Sequence, residues 1–105
     1  MSQCANAPIA SAGCEMVILD SARLLKAMAN ENRLRILCLL MENEMSVSEL
    51  NDRLDLSQSA LSQHLAVLRR QALVNTRRAS QTIYYSLRGS HAEAVINTLA
   101  GLAKN

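Results

Sequence analysis

Polar side chains recur on one side of a segment that has the pattern of a helix. In LSQSALSQHLAVLRR, residues 56–70, the apolar Leu61, Leu65 and Leu68 recur at helical spacing and define the buried side. The opposite side carries Gln58, Ser59, Ser62, Gln63 and, at its edge, His64. A glutamine side chain presents a donor and an acceptor together, which suits the edge of a nucleic-acid base, and serine is short enough to permit close approach. This face therefore predicts hydrogen bonding to bases, while His64 is expected either to contact phosphate or to brace the turn.

Arginines follow this helix without any acidic residue among them. Between Leu56 and Ser90 the charged residues are Arg69, Arg70, Arg77, Arg78 and Arg88, although the whole chain has a net charge of only +2. One part of the domain can therefore face a polyanion. We predict that Arg77 and Arg78, with Arg69 or Arg70, contact phosphates and make binding steeply salt-dependent. Gln81 is also expected to contact DNA. From charge alone, a solvated arginine-rich surface without a ligand is the alternative.

Length and composition limit the class of protein. A chain of 105 residues fits one domain and leaves little room for a large enclosed pocket. Aromatic residues amount to 2%, namely Tyr84 and Tyr85, so the core must be built from aliphatic side chains, which favours packed helices. No apolar run approaches the ~20 residues of a membrane span, and the N-terminus lacks a secretory signal pattern. We expect a cytoplasmic protein with no membrane partner.

Residues 1–14 are small and weakly patterned, which predicts a flexible tail before a domain at 15–105. Periodicity predicts helices at 15–28, 31–42 and 91–103, and in the second of these Leu34, Leu37, Cys38 and Met41 form one predicted buried stripe. Ser46 with Glu49 is a capping-box pattern that opens a short helix through Leu54, and Ser57 is the N-cap predicted for the helix that follows.

After Ala72 the apolar period changes to two, in LVNTRRASQTIYYSL, which predicts a two-stranded hairpin with the polar RRASQ at its tip. Two short helices followed by such a hairpin predict a mainly α winged helix-turn-helix in the order α1-α2-α3-α4-β-β-α5. In that arrangement the second helix of the pair enters the major groove of DNA and the hairpin, or wing, reaches the backbone alongside. The sequence therefore predicts double-stranded DNA as a partner.

Three stretches resemble a known family. AMANENRLRILCLL, LSQSALSQHLAVLR and QTIYYSL are similar to the ArsR/SmtB family of winged-helix repressors over about residues 20–103, and most of all to its HlyU/BigR/SqrR-like and NolR-like branch. The resemblance implies a homodimer, joined through its first and last helices, that occupies a palindromic operator and leaves it when an inducer binds. The sequence supports the dimer independently, because apolar residues on the terminal helices exceed what one small core covers: Ile18, Leu25, Val95, Leu99 and Leu102.

The inducer depends on the cysteines. In that branch, the resemblance implies that a cysteine at the position of Cys38 pairs with one near the end of the last helix, in response to persulfides, polysulfides or oxidants. This chain has Lys104 at about the distal position and no cysteine after Cys38. Cys14 or Cys4 is then the candidate partner, provided that the Cα atoms come within about 7 Å. Three thiols can also bind arsenite or antimonite, Cys38 can be an inert thiol, and NolR-like members imply a repressor without any inducer.

The sequence does not indicate a metal site, a cofactor site or an enzyme. The metal-binding family members carry cysteines where this chain has SELNDRL, and at the zinc position of the last helix only His91 and Glu93 are present, so we expect no metal site and no cofactor. No nucleophile, base and orienting group recur at a suitable spacing, so we expect no enzyme. The competing reading from another class is a winged helix that binds protein and whose arginines are only solvated.

Overall fold

The computed structural model describes residues 12–104. In this part of the chain the helices are α1 (Ala12–Met28), α2 (Glu31–Glu42), α3 (Val47–Arg53), α4 (Gln58–Arg70) and α5 (His91–Ala103). The strands are β1 (Met45–Ser46), β2 (Val74–Ala79) and β3 (Thr82–Leu87). The predicted winged helix-turn-helix is confirmed: α3 and α4 form the helix pair, and β2 and β3 form the wing.

Helix α1 begins at Ala12, three residues before its predicted start. Cys14, predicted to lie in a flexible tail, is therefore inside a helix and buried. The three added residues are Ala12, Gly13 and Cys14, whose helix propensities nearly cancel, and the burial of Cys14 is a tertiary feature that local periodicity does not reveal. The tail predicted at residues 1–14 otherwise lies outside the described residues.

The buried side of α2 differs from the predicted stripe. Ile36, Leu37 and Leu40 are buried, whereas Cys38 is exposed. Residues 36–41 are six consecutive apolar residues, so two stripes one residue apart fit the sequence equally well. The predicted stripe, which contained Cys38, is wrong. The core packs against the stripe formed by Ile36, Leu37 and Leu40, which Arg33 precedes by one turn.

Side chains cap the helices that lead to the wing. Asn30 accepts hydrogen bonds from the backbone N–H groups of Asn32 and Arg33, at 2.9 and 3.1 Å, and starts α2. Ser46 and Glu49 form the predicted capping box, with bonds of 3.1 and 2.8 Å, and start α3. Each cap satisfies backbone donors that the first turn of a helix leaves free.

One aliphatic core joins α2, α3, α4 and the sheet. Its fully buried large side chains are Ile36, Leu37, Leu50, Leu61, Leu65 and Leu68. The three leucines of α4 are those predicted from their spacing, and they seat the helix so that its other face points outward. Tyr85 of β3 closes the core from the sheet side.

The sheet has three antiparallel strands in the order β1-β3-β2. β2 and β3 are joined by the two-residue turn Ser80–Gln81, with Ser80 at φ 58°, so Arg77 and Arg78 lie in β2 rather than at the tip. β1, which the sequence did not predict, pairs Met45 with Tyr85. A strand of two residues is too short to show an alternating pattern.

The terminal helices carry apolar side chains that no part of residues 12–104 covers. On α1 these are Met16, Val17, Ile18, Leu19 and Leu25, and on α5 they are Leu99 and Leu102. Val95, predicted to belong to this surface, is half-buried against the core instead. None of the helices in residues 12–104 is long and apolar enough to cross a membrane.

Candidate nucleic-acid interface

The outward face of α4 is polar and accessible. Gln58, Ser59, Ser62 and Gln63 are all exposed, as their position opposite the three core leucines predicts. Ser57 caps the helix by accepting a hydrogen bond from the backbone N–H of Ala60 at 3.1 Å. The face therefore holds two amides and two hydroxyls within two turns, on a helix whose other face is fixed in the core.

The first turn of α4 and the tip of the wing border one open groove. Gln58 of α4 and Gln81 of the wing turn both line it, with Ser48 and Asp52 of α3 on the third side, and its volume is about 550 Å³. The fold thus brings together two side chains that are 23 positions apart in the sequence and that were both predicted to contact DNA. Arg78, also exposed, lies in the same wing.

Arg77 differs from Arg78 because it already has a partner. Its Nε and Nη2 donate to the two carboxylate oxygens of Glu44, each at 2.8 Å, and its guanidinium lies 4.6 Å from the ring centroid of Tyr84. The hydrogen bond from Arg77 holds the pKa of Glu44 below its ordinary value, and Glu44 in turn raises the pKa of Arg77. Arg77 therefore forms an ion pair that connects the wing to the residue before β1, and its charge is already neutralised.

His64 is the one member of the predicted set that is half-buried. Its Nδ1 lies 3.2 Å from Nη1 of Arg33 in α2. Burial of the ring, and secondly the charge of Arg33, lower the pKa of His64 below its ordinary value of 6.5. The structure therefore favours the bracing role over the phosphate contact, which the sequence had left as equal alternatives.

Sequence reasoning did not identify Arg33. The side chain occupies the position at i−3 and i−4 to the buried Ile36 and Leu37, where an apolar residue is usual. An arginine on the buried side of a helix needs polar partners, so its position in the sequence could have indicated a buried polar contact. Arg33 donates to the backbone carbonyls of Ala27 and Lys26 at 2.5 and 3.3 Å, which satisfies the end of α1.

Arg69 and Arg70 are exposed at the C-terminal end of α4, the end opposite Ser57. Arg70 lines a separate open cleft of about 750 Å³, between α1, α4 and the base of the wing, together with Arg23 and Arg88. The predicted phosphate-binding arginines therefore lie on different elements. Arg78 is in β2 of the wing, whereas Arg69 and Arg70 are in the last turn of α4.

The structure describes two of the three predicted sensing cysteines, Cys14 and Cys38. Cys38 is a free, exposed thiol in a shallow groove of about 460 Å³ that is also lined by Arg35, Arg53 and Leu54. Cys14 is buried in α1 and is disulfide-bonded, so the two residues are not joined to each other in this structure. Cys4 lies outside the described residues.

Within residues 12–104, no cluster of three or more His, Cys, Asp or Glu side chains has the geometry of a metal site. His91 and Glu93, the two residues considered for a zinc site from the sequence, lie in the first turn of α5. They are two neighbouring side chains without a third ligand among the described residues.

Sequence comparison relates this interface to known regulators. The profile described as "Bacterial regulatory protein, arsR family" matches residues 30–76, which contain α2, α3 and α4. The chain is 63% identical over 76 residues to the transcriptional activator HlyU of Vibrio cholerae, a match that covers 72% of this chain and 70% of that protein. It is 41% identical over 80 residues to the biofilm growth-associated repressor of Xylella fastidiosa, covering 76% and 70%.

Solved structures agree with the fold. NolR from Sinorhizobium fredii superimposes with a TM-score of 0.83 at 44% identity, covering 91% of this chain and 95% of that one. Reduced HlyU from V. cholerae gives 0.78 at 57% identity, covering 84% and 93%. A protein of Mycobacterium bovis, described as a homodimeric winged helix-turn-helix DNA-binding domain, gives 0.80 at 28% identity, covering 90% and 87%.

Proposed function

Because this chain belongs to the ArsR family of bacterial regulatory proteins and is a transcriptional regulator, we propose that it represses transcription as a homodimer bound to a palindromic operator. The proposal depends on the exposed polar face of α4. Three buried leucines, Leu61, Leu65 and Leu68, hold the opposite face of this helix in the core. A seated helix with amides and hydroxyls outward has the form that enters the major groove, which is about 12 Å wide.

On DNA, Gln58 and Gln63 read base edges, while Ser59 and Ser62 allow the helix to approach closely. The groove shared by Gln58 and Gln81 sets the wing tip beside the start of α4, so that Arg78 reaches the phosphates next to the bases that α4 contacts. Arg69 and Arg70 add charge at the other end of the helix. Arg77 contributes by holding the wing in place, since its guanidinium is engaged by Glu44.

A homodimer is supported by the uncovered apolar faces of α1 and α5. Leu25, Leu99 and Leu102 are each at least half exposed in the single chain. Exposed apolar surface of this kind on the first and last helices is typical of a protein interface. The M. bovis relative is described as homodimeric, and a two-fold dimer would present two α4 helices to two half-sites of a palindrome.

The test is equilibrium binding to DNA from the promoter region of the chain's own gene, measured by fluorescence anisotropy at several salt concentrations. Gln63→Ala should lose about 1–3 kcal/mol of affinity for the operator and little for scrambled DNA. Gln71→Ala, the same change at the far end of α4, should leave both unchanged. Equal affinity of all three proteins for operator and scrambled DNA contradicts the proposal and favours the reading as a protein-binding winged helix or another partner.

We further propose that derepression starts at the Cys38 thiol. The thiol is free and accessible. Its groove is lined by two arginines and two glutamates, and Arg35 is paired with Glu31, so Arg53 is the cation that can attract an anionic polysulfide. The Cys38 thiolate attacks a sulfur of the polysulfide, one S–S bond breaks, and the shortened polysulfide leaves as an anion. A low-molecular-weight dithiol first reduces the disulfide of Cys14 by thiol–disulfide exchange and is itself oxidised. The thiolate of Cys14 or Cys4 then attacks the Cys38 sulfur of the persulfide, the outer S–S bond breaks, and HS⁻ leaves as the bridge forms.

This second proposal is tested by titrating the protein–operator complex with polysulfide, peroxide, arsenite or zinc, followed by mass spectrometry of the cysteines. Release by polysulfide that is lost in Cys38→Ser supports the proposal. Release by arsenite alone indicates a metalloid sensor, and retained binding under every treatment indicates a repressor without a thiol inducer. We expect the protein to act in the cytoplasm without a cofactor and to have no enzymatic activity.

A further inference from the structure

The contact between His64 of α4 and Arg33 of α2 joins the DNA-facing helix to the rest of the fold. Nη1 of Arg33 lies 3.2 Å from Nδ1 of His64, across 31 positions of the sequence. The two helices also pack through leucines of the core. Within residues 12–104, the Arg33–His64 contact is the hydrogen bond between side chains that joins α2 to α4. His64 lies next to Gln63, the residue that we expect to read a base.

The guanidinium of Arg33 is held from its other side. Its Nε donates to the carbonyl oxygen of Ala27 at 2.5 Å, and its Nη2 donates to that of Lys26 at 3.3 Å. Both carbonyls belong to the last turn of α1. The side chain is therefore anchored on the α1–α2 junction, and its Nη1 presents a fixed N–H to the histidine.

The direction of this hydrogen bond defines the state of the ring. Arginine has only donors and stays cationic at all relevant pH values, so the bond exists only when Nδ1 of His64 is an acceptor. Nδ1 is an acceptor in the neutral ring that carries its proton on Nε2. A proton added at Nδ1 turns it into a donor, removes the bond and places two cations side by side.

We propose that His64 is a positioning residue which holds α4 in its DNA-binding orientation through the bond that it accepts from Arg33, and that protonation of Nδ1 releases this brace and weakens DNA binding. The inference rests on the proposed function, since it concerns the affinity of α4 for DNA. It assigns to His64 an indirect role, exercised through the orientation of Gln63 and its neighbours.

The groups around the imidazole ring determine in which direction the pKa of His64 is shifted. Arg33 is the charged group that acts on His64. Among the described residues, the last turn of α1 binds Arg33 through the carbonyls of Ala27 and Lys26. On α4 itself the residues one turn away, at positions 60, 61, 67 and 68, are all apolar. The braced form thus binds a proton less readily than a free histidine, so the contact persists near pH 7 and is lost as the pH falls through the lowered pKa.

A histidine that contacts phosphate would behave in the opposite way. DNA phosphates stabilise the protonated ring, so such a histidine strengthens binding as the pH falls. The two roles, which the sequence could not separate, therefore predict opposite slopes of affinity against pH.

The experiment measures affinity for the promoter DNA by fluorescence anisotropy from pH 7.5 to 5.5 at constant ionic strength. The wild-type affinity should fall as the pH is lowered through the pKa of His64, because each protomer must lose one proton to bind. His64→Asn keeps an acceptor close to the position of Nδ1 but cannot titrate, so its affinity should change little across this range. His91→Asn removes the other histidine of the chain and should keep the wild-type slope.

A wild-type affinity that is flat or rises as the pH falls overturns the inference, as does a His64→Asn variant with the wild-type slope. If His64→Asn fails to fold, ¹⁵N spectra of the wild-type rings decide instead: they should show His64 with Nδ1 unprotonated at pH 7.5, and a protonated Nδ1 overturns the proposal. Wild-type protein that binds no promoter DNA at any pH contradicts the proposed function as a whole, whereas pH-independent binding contradicts only the role of His64.

Discussion

Arg77 of β2 reaches across β3 to Glu44, and the two side chains form a bidentate ion pair with both bonds at 2.8 Å. The register explains the reach. Arg77 is directly opposite Tyr84, which is in turn opposite Ser46, so the guanidinium passes over the tyrosine ring before it meets the carboxylate beside β1. The pair therefore spans all three strands on the face away from the core.

The charge of the wing follows from this pair. Glu44 neutralises one of the two wing arginines, and Arg78 remains as the cation without an ion pair in the described part of the wing. Because Arg77 lowers the pKa of Glu44, the carboxylate stays ionised at pH 5.5 and above. The pair consequently adds nothing to a change of DNA affinity between pH 5.5 and 7.5, and its contribution to stability is lost only as the pH falls below that range.

Glu44→Gln should steepen the salt dependence of DNA binding. The change releases Arg77 from its partner charge. One added phosphate contact per protomer is two per dimer, which increases the magnitude of the slope of log affinity against log salt by about 1.8. Arg78→Gln should lower the slope by a similar amount. Anisotropy titrations at four salt concentrations measure both, and Glu42→Gln, which removes an exposed and unpaired acid nearby, serves as the control for net charge.

If Arg77 itself contacts phosphate in the complex, Glu44→Gln will leave the slope unchanged and Arg77→Gln will lower it as much as Arg78→Gln does. That outcome would mean that the ion pair opens on binding.

Leu102→Glu should convert the protein to a folded monomer with strongly reduced operator affinity. Leu102 is 64% exposed and takes no part in the core, so the charge leaves the domain intact while it disrupts the apolar face of α5. Sedimentation equilibrium measures the mass and far-UV circular dichroism the helix content. Ile83→Glu, on an exposed apolar residue of the wing, should keep the wild-type mass. A dimeric Leu102→Glu protein would show that another surface joins the protomers.

The fold was predictable from the sequence where strong periodic patterns and caps coincide. The leucines of α4 and the capping box at Ser46 follow local rules, and both were found as predicted. The hairpin was also found, but with a two-residue turn in place of the predicted RRASQ tip. Along α2 the same reasoning chose the wrong stripe, because a run of six apolar residues carries no period. β1 was missed, because its two residues are strand only through their pairing with Tyr84 and Tyr85.

At the candidate site, residue types and spacing identified the exposed face of α4 but not the partners of its neighbours. The pairs Arg33–His64 and Glu44–Arg77 join residues 31 and 33 positions apart. Such pairs depend on how elements pack, and nothing in the local pattern around Arg77 distinguishes it from Arg78. The sequence therefore predicts which surface is basic, while the structure shows which of its arginines are free.

Cys38→Ser should change the free energy of unfolding by less than about 0.5 kcal/mol, because the thiol is exposed rather than part of the core. Leu37→Ala, one position earlier on the buried face, should cost about 2–5 kcal/mol. Urea unfolding at a fixed protein concentration measures both. A cost above about 1 kcal/mol for Cys38→Ser would place the thiol in a buried interface of the dimer.

Ala72→Gly should stabilise the protein by about 0.5–1 kcal/mol. Ala72 has φ 58°, in the left-handed region, and it ends α4 through a bond from the N–H of Leu73 to the carbonyl of Leu68 at 2.9 Å. Glycine adopts this conformation without the cost that a Cβ imposes, and it is the residue preferred immediately after a helix. Ala66→Gly is the matched control, since the same change in the exposed middle of α4 should cost about 1 kcal/mol. Urea unfolding at one protein concentration gives both values, and destabilisation by Ala72→Gly would show that the flexibility gained by the unfolded chain outweighs the strain relieved at this turn.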